Sequence, residues 1–207
     1  YAKSHGKGQY IVFNDIAKSV FSEIEMEQKQ TLALENGEFE IRYLPIISAQ
    51  TSRLRLSQVR LYWKMSEHTI KSQEEFLPLF EKNGFIRQLD NWVIQTVFSH
   101  LAKYHEASEH IGKVGLRISR HSLLDTKLPD MLISLMYTYR VEPYEIDFQI
   151  PESAFTRGNR ELIKAMQKLK EMGFSISVIG VGSDFKSLIY WDKLALDSII
   201  FDSDYLK

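Results

Sequence analysis

Apolar and polar positions change period several times along the chain, and each change predicts an element. Phe39, Ile41 and Tyr43 alternate with charged neighbours, which predicts a strand ending at Leu44-Pro45. Leu54 and Leu56, then Val59, Leu61 and Trp63, predict a second strand with a change of phase at Ser57-Gln58. Helical spacing covers 72–82, with Phe76, Leu79 and Phe80 on one face, and 88–104. Further on, 114–119 is expected as a strand, 128–140 as a helix, and 145–150 as a strand stopped by Pro151. Leu162, Ile163, Met166 and Leu169 mark an amphipathic helix over 159–172, closed by Gly173. A strand over 174–179, a short helix over 184–193 and a strand over 198–201 complete the series.

The first part of the chain has a different texture. Residues 9–13 predict a short strand after the turn material His5-Gly6-Lys7-Gly8, and Asn14 and Asp15 offer a helix N-cap. From 16 to about 34, only Ile16, Val20, Ile24, Leu32 and Leu34 form an apolar stripe on a helix otherwise rich in Glu, Gln and Lys. So thin a stripe predicts a linker or a coiled-coil seam more readily than a core helix. Asn36-Gly37 ends it, and a domain boundary is expected near 37.

Strands alternating with helices imply parallel pairing and right-handed crossovers. The pattern yields about six strands after 37, and a closed (β/α)8 barrel needs about two further strand–helix units. The expectation from this pattern is an α/β fold short of a closed barrel: either the chain is cut, or its open side is covered by a protein partner or by a second copy.

Composition narrows the function classes. Apolar residues make up 44% and aromatics 12% of 207 residues, enough to build a core. A formal net charge of −1 argues against direct nucleic-acid binding. No apolar run reaches the roughly 18 residues that cross a bilayer, and the first residues lack the apolar centre of a signal peptide. The absence of cysteine excludes disulfides and thiolate metal sites. These features predict a cytoplasmic domain, either free or as the cytoplasmic part of a membrane-anchored sensor.

The order of segments resembles the EAL domain of cyclic di-GMP phosphodiesterases. Gly37-Glu38-Phe39-Glu40-Ile41-Arg42-Tyr43-Leu44-Pro45-Ile46 is similar to the family's first strand, which usually ends Tyr-Gln-Pro-Ile. Ser72-Gln73-Glu74-Glu75-Phe76-Leu77-Pro78-Leu79 and Asn91-Trp92-Val93 resemble its first two helices. Leu116-Arg117-Ile118-Ser119 stands for Val-Asn-Leu-Ser, and Gln149-Ile150-Pro151-Glu152-Ser153 for Glu-Ile-Thr-Glu-Ser. Residues 173–188 occupy the place of the Asp-Asp-Phe-Gly-Thr-Gly segment, and 196–202 resemble the strand written Val-Asp-x-Leu-Lys-Ile-Asp. Residues 1–13 resemble the tail of a GGDEF domain. The resemblance thus implies an α/β, EAL-like TIM-type barrel, incomplete at its C-terminal end, and divides the chain into a GGDEF-tail strand (1–14), a linker helix (15–37) and a degenerate, truncated EAL domain (38–207).

Active members of that family, as the resemblance implies, hydrolyse cyclic di-GMP with two divalent metals held by anionic oxygens. At the corresponding positions stand Gln58 for the glutamate of Glu-Ala-Leu, Arg117 for an asparagine and Gln149 for a glutamate. Ile179 and Gly180 replace two aspartates, and Ile200 replaces a lysine. The implied result is no metal, no cofactor and no hydrolysis. The family's ligand grip falls on Leu44, where glutamine is usual, and on Tyr62, where arginine is usual. Cyclic di-GMP is therefore expected to be held poorly, with Arg117 as the remaining phosphate contact and Glu152 as a further ligand-side candidate. The leading expectation is a silent regulatory domain acting by protein contact; the second is a non-hydrolysing nucleotide receptor; the third is a residual phosphodiesterase.

Other signals carry ordinary explanations. Ser119-Arg120-His121-Ser122 lacks an indicated third catalytic partner and is expected as a loop. His100, His105 and His110 turn about 140° at each step of a helix, so they share no face and are expected in solvent. Gly180-Val181-Gly182 is too short for a phosphate loop and fits the remnant of a catalytic loop. Asp147, Glu152, Asp184 and Asp202 could make one weak cation site, although caps and loop salt bridges are the commoner use of such residues.

Overall fold

The computed structural model describes residues 13–109, 111–155, 160–182 and 196–201. The expected strand over 9–13, the helix over 184–193, His110, Asp184 and Asp202 lie outside them, apart from Phe13, which opens the first helix.

That helix, α1 (Phe13–Glu35), is longer than expected and is no free linker. Met26 and Ala33 are buried in the main core, whereas Val20, Ile24 and Leu32 of the anticipated stripe face solvent. The reason is lateral. α1 packs on α2 (Gln73–Asn83), and the Asn83 amide donates to Glu27 and Gln30 across the contact. A packed neighbour selects the face that is buried, and here it selects the narrower one.

A seven-stranded sheet follows, in the order β1-β2-β4-β5-β6-β7, with β3 paired to β2 off this path. β1 (Phe39–Ile47) runs antiparallel to β2 (Leu54–Ser66), and β3 (Thr69–Ser72) completes a small antiparallel edge. β4 (Val114–Arg117), β5 (Ile146–Pro151), β6 (Ser175–Val181) and β7 (Ser198–Phe201) add on in parallel. The sequence pattern missed β3, which is short and largely polar. The phase change expected at Ser57-Gln58 produces no slip there; the register with β1 shifts instead at Ile46-Ile47, opposite Leu54 and Leu56. Leu56 is buried on one side of the strand while Val59, Leu61 and Trp63 are buried on the other, because both faces of the strand are covered.

α3 (Ile86–Glu106), α4 (Arg120–Leu123), α5 (Leu128–Tyr139) and α6 (Arg160–Glu171) pack over the strands. α2 begins with a capping box: Ser72 precedes it, and the Glu75 carboxylate accepts from the Ser72 backbone N–H at 2.9 Å. Gly84, at φ +83°, supplies its left-handed end. The outward face of the sheet carries Leu116, Phe148, Ile150, Ile176 and Val178, all buried in one core with the helices. Phe39, Trp63, Phe76 and Phe80 form its aromatic centre, with Phe39 and Trp63 rings 5.1 Å apart. The inward-facing positions are more polar.

Two expectations about small motifs change. Ser119-Arg120-His121-Ser122 is a helical turn and not a loop, with the Ser119 hydroxyl accepting from the Ser122 backbone N–H. His100 and His105 are half-buried and hydrogen-bonded instead of solvated. The Tyr43 hydroxyl lies 3.0 Å from His100 Nδ1, and His105 Nε2 lies 2.7 Å from Glu145. Burial, with Lys103 nearby, lowers the pKa of His100 and favours its neutral form.

Candidate functional site

The strand register brings the inward positions together. Gln58 pairs with Gly115, Gly115 with Asp147, Arg117 with Gln149, Gln149 with Ser177 and Ile179 with Ile200. Opposed residues point to the same side of a sheet, so Gln58, Arg117, Gln149, Ile179 and Ile200 share one face. Gly180 sits at the irregularity between Ile179 and Val181, with φ at +69°, outside that alternation.

Amides occupy the centre of this face. Gln58 Nε2 donates to Gln149 Oε1 at 2.8 Å, and Gln149 Nε2 reaches Asp147 at 3.4 Å. The Ser177 hydroxyl donates to the same Asp147 carboxylate at 2.7 Å. Gly115 makes the crossing sterically feasible: a Cβ there would overlap the Gln149 amide nitrogen and meet Leu56 Cδ2 at 2.8 Å. Burial raises the pKa of Asp147, against the hydrogen bonds from Ser177 and Gln149 and the charge of Lys113.

Arg117 stands level with Gln149, one inward position nearer the C-terminal ends of the strands than Gly115 and Asp147. Its Nη2 donates to Glu81 of α2 at 2.5 Å, while Nη1 is buried without a hydrogen-bond partner. Below it, Asp90 of α3 is fully buried and accepts from the Ser119 backbone N–H at 3.0 Å and from the Ser122 hydroxyl at 2.7 Å. Burial raises the pKa of Asp90, while these hydrogen bonds and the Arg117 charge act in the opposite sense. His121 is exposed, so no Ser–His pair is assembled from this turn.

On the β1–β2 side, Leu44 lies opposite Gln58, Glu40 opposite Tyr62, and Arg42 opposite Arg60. The Arg42 guanidinium sits 4.4 Å from the Tyr62 ring centre and bonds Glu40, while Arg60 bonds Glu74 at 2.9 Å. Arg42, Arg60, Tyr62 and Glu74, with Leu44 and Gln73, line a cavity of about 460 Å³. Glu152 is buried at the end of β5 and accepts from the Gly182 backbone N–H at 3.1 Å, which ties down the turn after β6.

A second cavity of about 260 Å³ lies by the N-terminal ends of the strands, lined by Arg55, Lys113, Asp147, Ser175, Asp197 and Ser198. Lys113 donates to Ser175 at 2.6 Å.

Among the described residues, no three His, Asp or Glu side chains converge as metal ligands, and no helix is long and apolar enough to cross a membrane. Sequence reasoning missed Asp90, Glu81, Ser177 and Gly115. It also missed Arg60, which alternation between Gln58 and Tyr62 on β2 places on the same face.

A family model described as "EAL domain" matches residues 27–207. The cyclic di-GMP phosphodiesterase NbdA of Pseudomonas aeruginosa is 24% identical over 184 residues, covering 89% of this chain and 24% of that protein. The oxygen sensor protein DosP of Escherichia coli is 25% identical over 174 residues, covering 84% of this chain and 22% of that protein. The chain therefore spans about a quarter of the length of these curated relatives. A structure titled "PaMucR Phosphodiesterase, c-di-GMP complex" superposes with a TM-score of 0.78 at 22% identity, over 86% of this chain and 72% of that one. The parallel sheet, the inward row of site positions and a family match over most of the sequence agree: this chain belongs to the EAL domain family.

Proposed function

We propose that this EAL domain does not hydrolyse cyclic di-GMP and serves cyclic di-GMP signalling through contact with another protein. The observation that carries this reading is the hydrogen bond between Gln58 and Gln149. Two divalent cations require several anionic oxygens. At two of the four positions where the resemblance expects carboxylates, neutral amides are spent on each other. Arg117 brings a fixed cation to the same face, and Ile179 and Ile200 contribute only hydrocarbon. These residues do not fit a metal pair, and no hydrolytic step is derived through one. The GGDEF-like motifs within 1–13 support a place inside a larger signalling protein.

A second reading rests on Arg117. Its buried Nη1 lacks an acceptor, and a phosphate oxygen would supply one. On this reading the domain holds cyclic di-GMP without cleaving it, with the cavity beside Tyr62 and Leu44 taking the rest of the ligand.

Incubation of the chain with cyclic di-GMP and Mg²⁺ or Mn²⁺, followed by chromatography of the nucleotides, tests the first reading. No linear product is expected, and sustained turnover would overturn it. Calorimetry separates the second reading: micromolar binding that Arg117→Ala weakens about tenfold or more supports a receptor. An absence of binding leaves the protein-contact reading standing alone.

A further inference from the structure

β2, β4, β5, β6 and β7 run in one direction, and their N-terminal ends come together at the end of the sheet opposite Arg117. Arg55 is the second residue of β2, Lys113 immediately precedes β4, and Ser175 and Ser198 open β6 and β7. All four line the cavity of about 260 Å³. The Arg55 guanidinium donates to the Ser198 hydroxyl at 3.3 Å, although β2 and β7 are not neighbours in the sheet, so the sheet curls around the cavity. Lys113 donates to the Ser175 hydroxyl at 2.6 Å. Among the described residues, neither Arg55 nor Lys113 forms an ion pair. Each cation rests on a neutral hydroxyl.

Two carboxylates border the same cavity, and both are engaged by other donors. Asp197 accepts from Lys170 at 2.7 Å and from the Ile176 backbone N–H at 2.7 Å. Asp147 accepts from the Ser177 hydroxyl. Burial raises the pKa of Asp147, which disfavours its charged form, against the pull of Ser177, Gln149 and Lys113. The cavity therefore holds more positive charge than its own carboxylates balance.

We propose that this cavity binds a phosphoryl group, either as free phosphate or as the end of a small phosphate monoester, with Arg55 and Lys113 as its counter-charges. A serine hydroxyl that accepts from a cation keeps its own O–H for an acceptor. Each cation–serine pair thus offers an N–H and an O–H to one anion. A terminal phosphoryl group suits two such pairs better than a carboxylate does, because it carries nearly two negative charges and three acceptor oxygens. Ile46, Leu56, Ile199 and Ile200 form the apolar part of the wall. At roughly 30 Å³ per water in the liquid, the volume leaves room for a few carbon atoms beside the phosphoryl group. The site stands apart from the reading of the Gln58–Gln149 face. Asp147 is the link between them, since it lines this cavity and accepts from Gln149.

Calorimetric titration of the 207-residue chain with inorganic phosphate and with propyl phosphate, at neutral pH and low salt, provides the test. One equivalent per chain is expected, with a Kd of about 1 mM or tighter. Arg55→Ala and Lys113→Gln should each weaken binding about tenfold, with circular dichroism confirming that both variants are folded. Lys164→Ala, which removes an exposed charge on α6, should leave the affinity unchanged. An ester bound more tightly than inorganic phosphate assigns the cavity to a monoester, and one bound no more tightly assigns it to free phosphate. Absence of binding by either anion overturns the proposal and leaves Arg55 and Lys113 a role in stability alone. Binding that Arg55→Ala and Lys113→Gln both leave unchanged also overturns it. Where Arg117→Ala abolishes that binding, the phosphate belongs to the site face instead.

Discussion

Asp90 ties α3 to the turn that follows β4, taking both the Ser119 N–H and the Ser122 hydroxyl on one carboxylate oxygen. Asp90→Ala leaves both donors buried without an acceptor and should cost about 2–4 kcal/mol in urea denaturation. Asp90→Asn keeps an acceptor oxygen and should cost less. Its penalty should also vary with pH. Burial raises the pKa of Asp90 in the folded state above the ordinary value of about 3.9, so the folded chain binds the proton more tightly than the unfolded chain. The stability this confers is fully present below about pH 3.9 and is lost as pH rises through the raised value. Asparagine does not titrate, so the deficit of Asp90→Asn should shrink as pH rises from 4 to 7. A constant deficit across that range would show that Asp90 is not the titrating group. Nothing in the sequence marked this residue, because its partners are 29 and 32 positions away and share no local motif with it. Gln58, Arg117, Gln149, Ile179 and Ile200 were legible as one face because strand alternation is local. The bond between Gln58 and Gln149 was not legible, since it spans 91 positions and requires Gly115 to lie between them.

The elements divide in the same way. α2 and α6 were legible from strong periodicity and from their end signals, Ser72 with Glu75 and Gly173 at φ +95°. α1 was legible as a helix, but its buried face was not. A polar helix carries two narrow apolar edges, and only the position of α2 decides which is covered. That choice has a measurable signature. Met26→Ala removes a side chain 3% exposed and should cost about 2–4 kcal/mol, whereas Leu32→Ala, at 61% exposure, should change stability by less than about 0.5 kcal/mol. Equal small effects in chemical denaturation would return α1 to the role of a detached linker. β3 escaped notice for another reason: its pairing to β2 follows from the turn at 67–68 and owes little to hydrophobic pattern.

At the scale of the whole molecule, one continuous core joins Met26 and Ala33 of α1 to residues of every sheet strand from β1 to β6 except β3. Elements that share a core lose it together. Thermal unfolding followed by far-ultraviolet circular dichroism and by tryptophan fluorescence should give a single transition with coincident midpoints. An earlier loss of helical signal would mean that α1 melts alone. The sheet separates the packing that holds the fold from the face that carries the site. Its outward side carries the apolar packing, and its inward side carries Gln58, Arg117, Asp147 and Gln149.

The amide bridge constrains which substitutions the site tolerates. Gln149 accepts from Gln58 and donates to Asp147. A lone change of Gln149 to glutamate removes that donor and sets a second carboxylate about where the amide now lies, 3.4 Å from Asp147. A lone change of Gln58 to glutamate strips Gln149 of the donor it now has there and faces one acceptor with another. Each single step toward an acidic site therefore lowers stability, and selection acting one substitution at a time meets a barrier that only a paired exchange avoids.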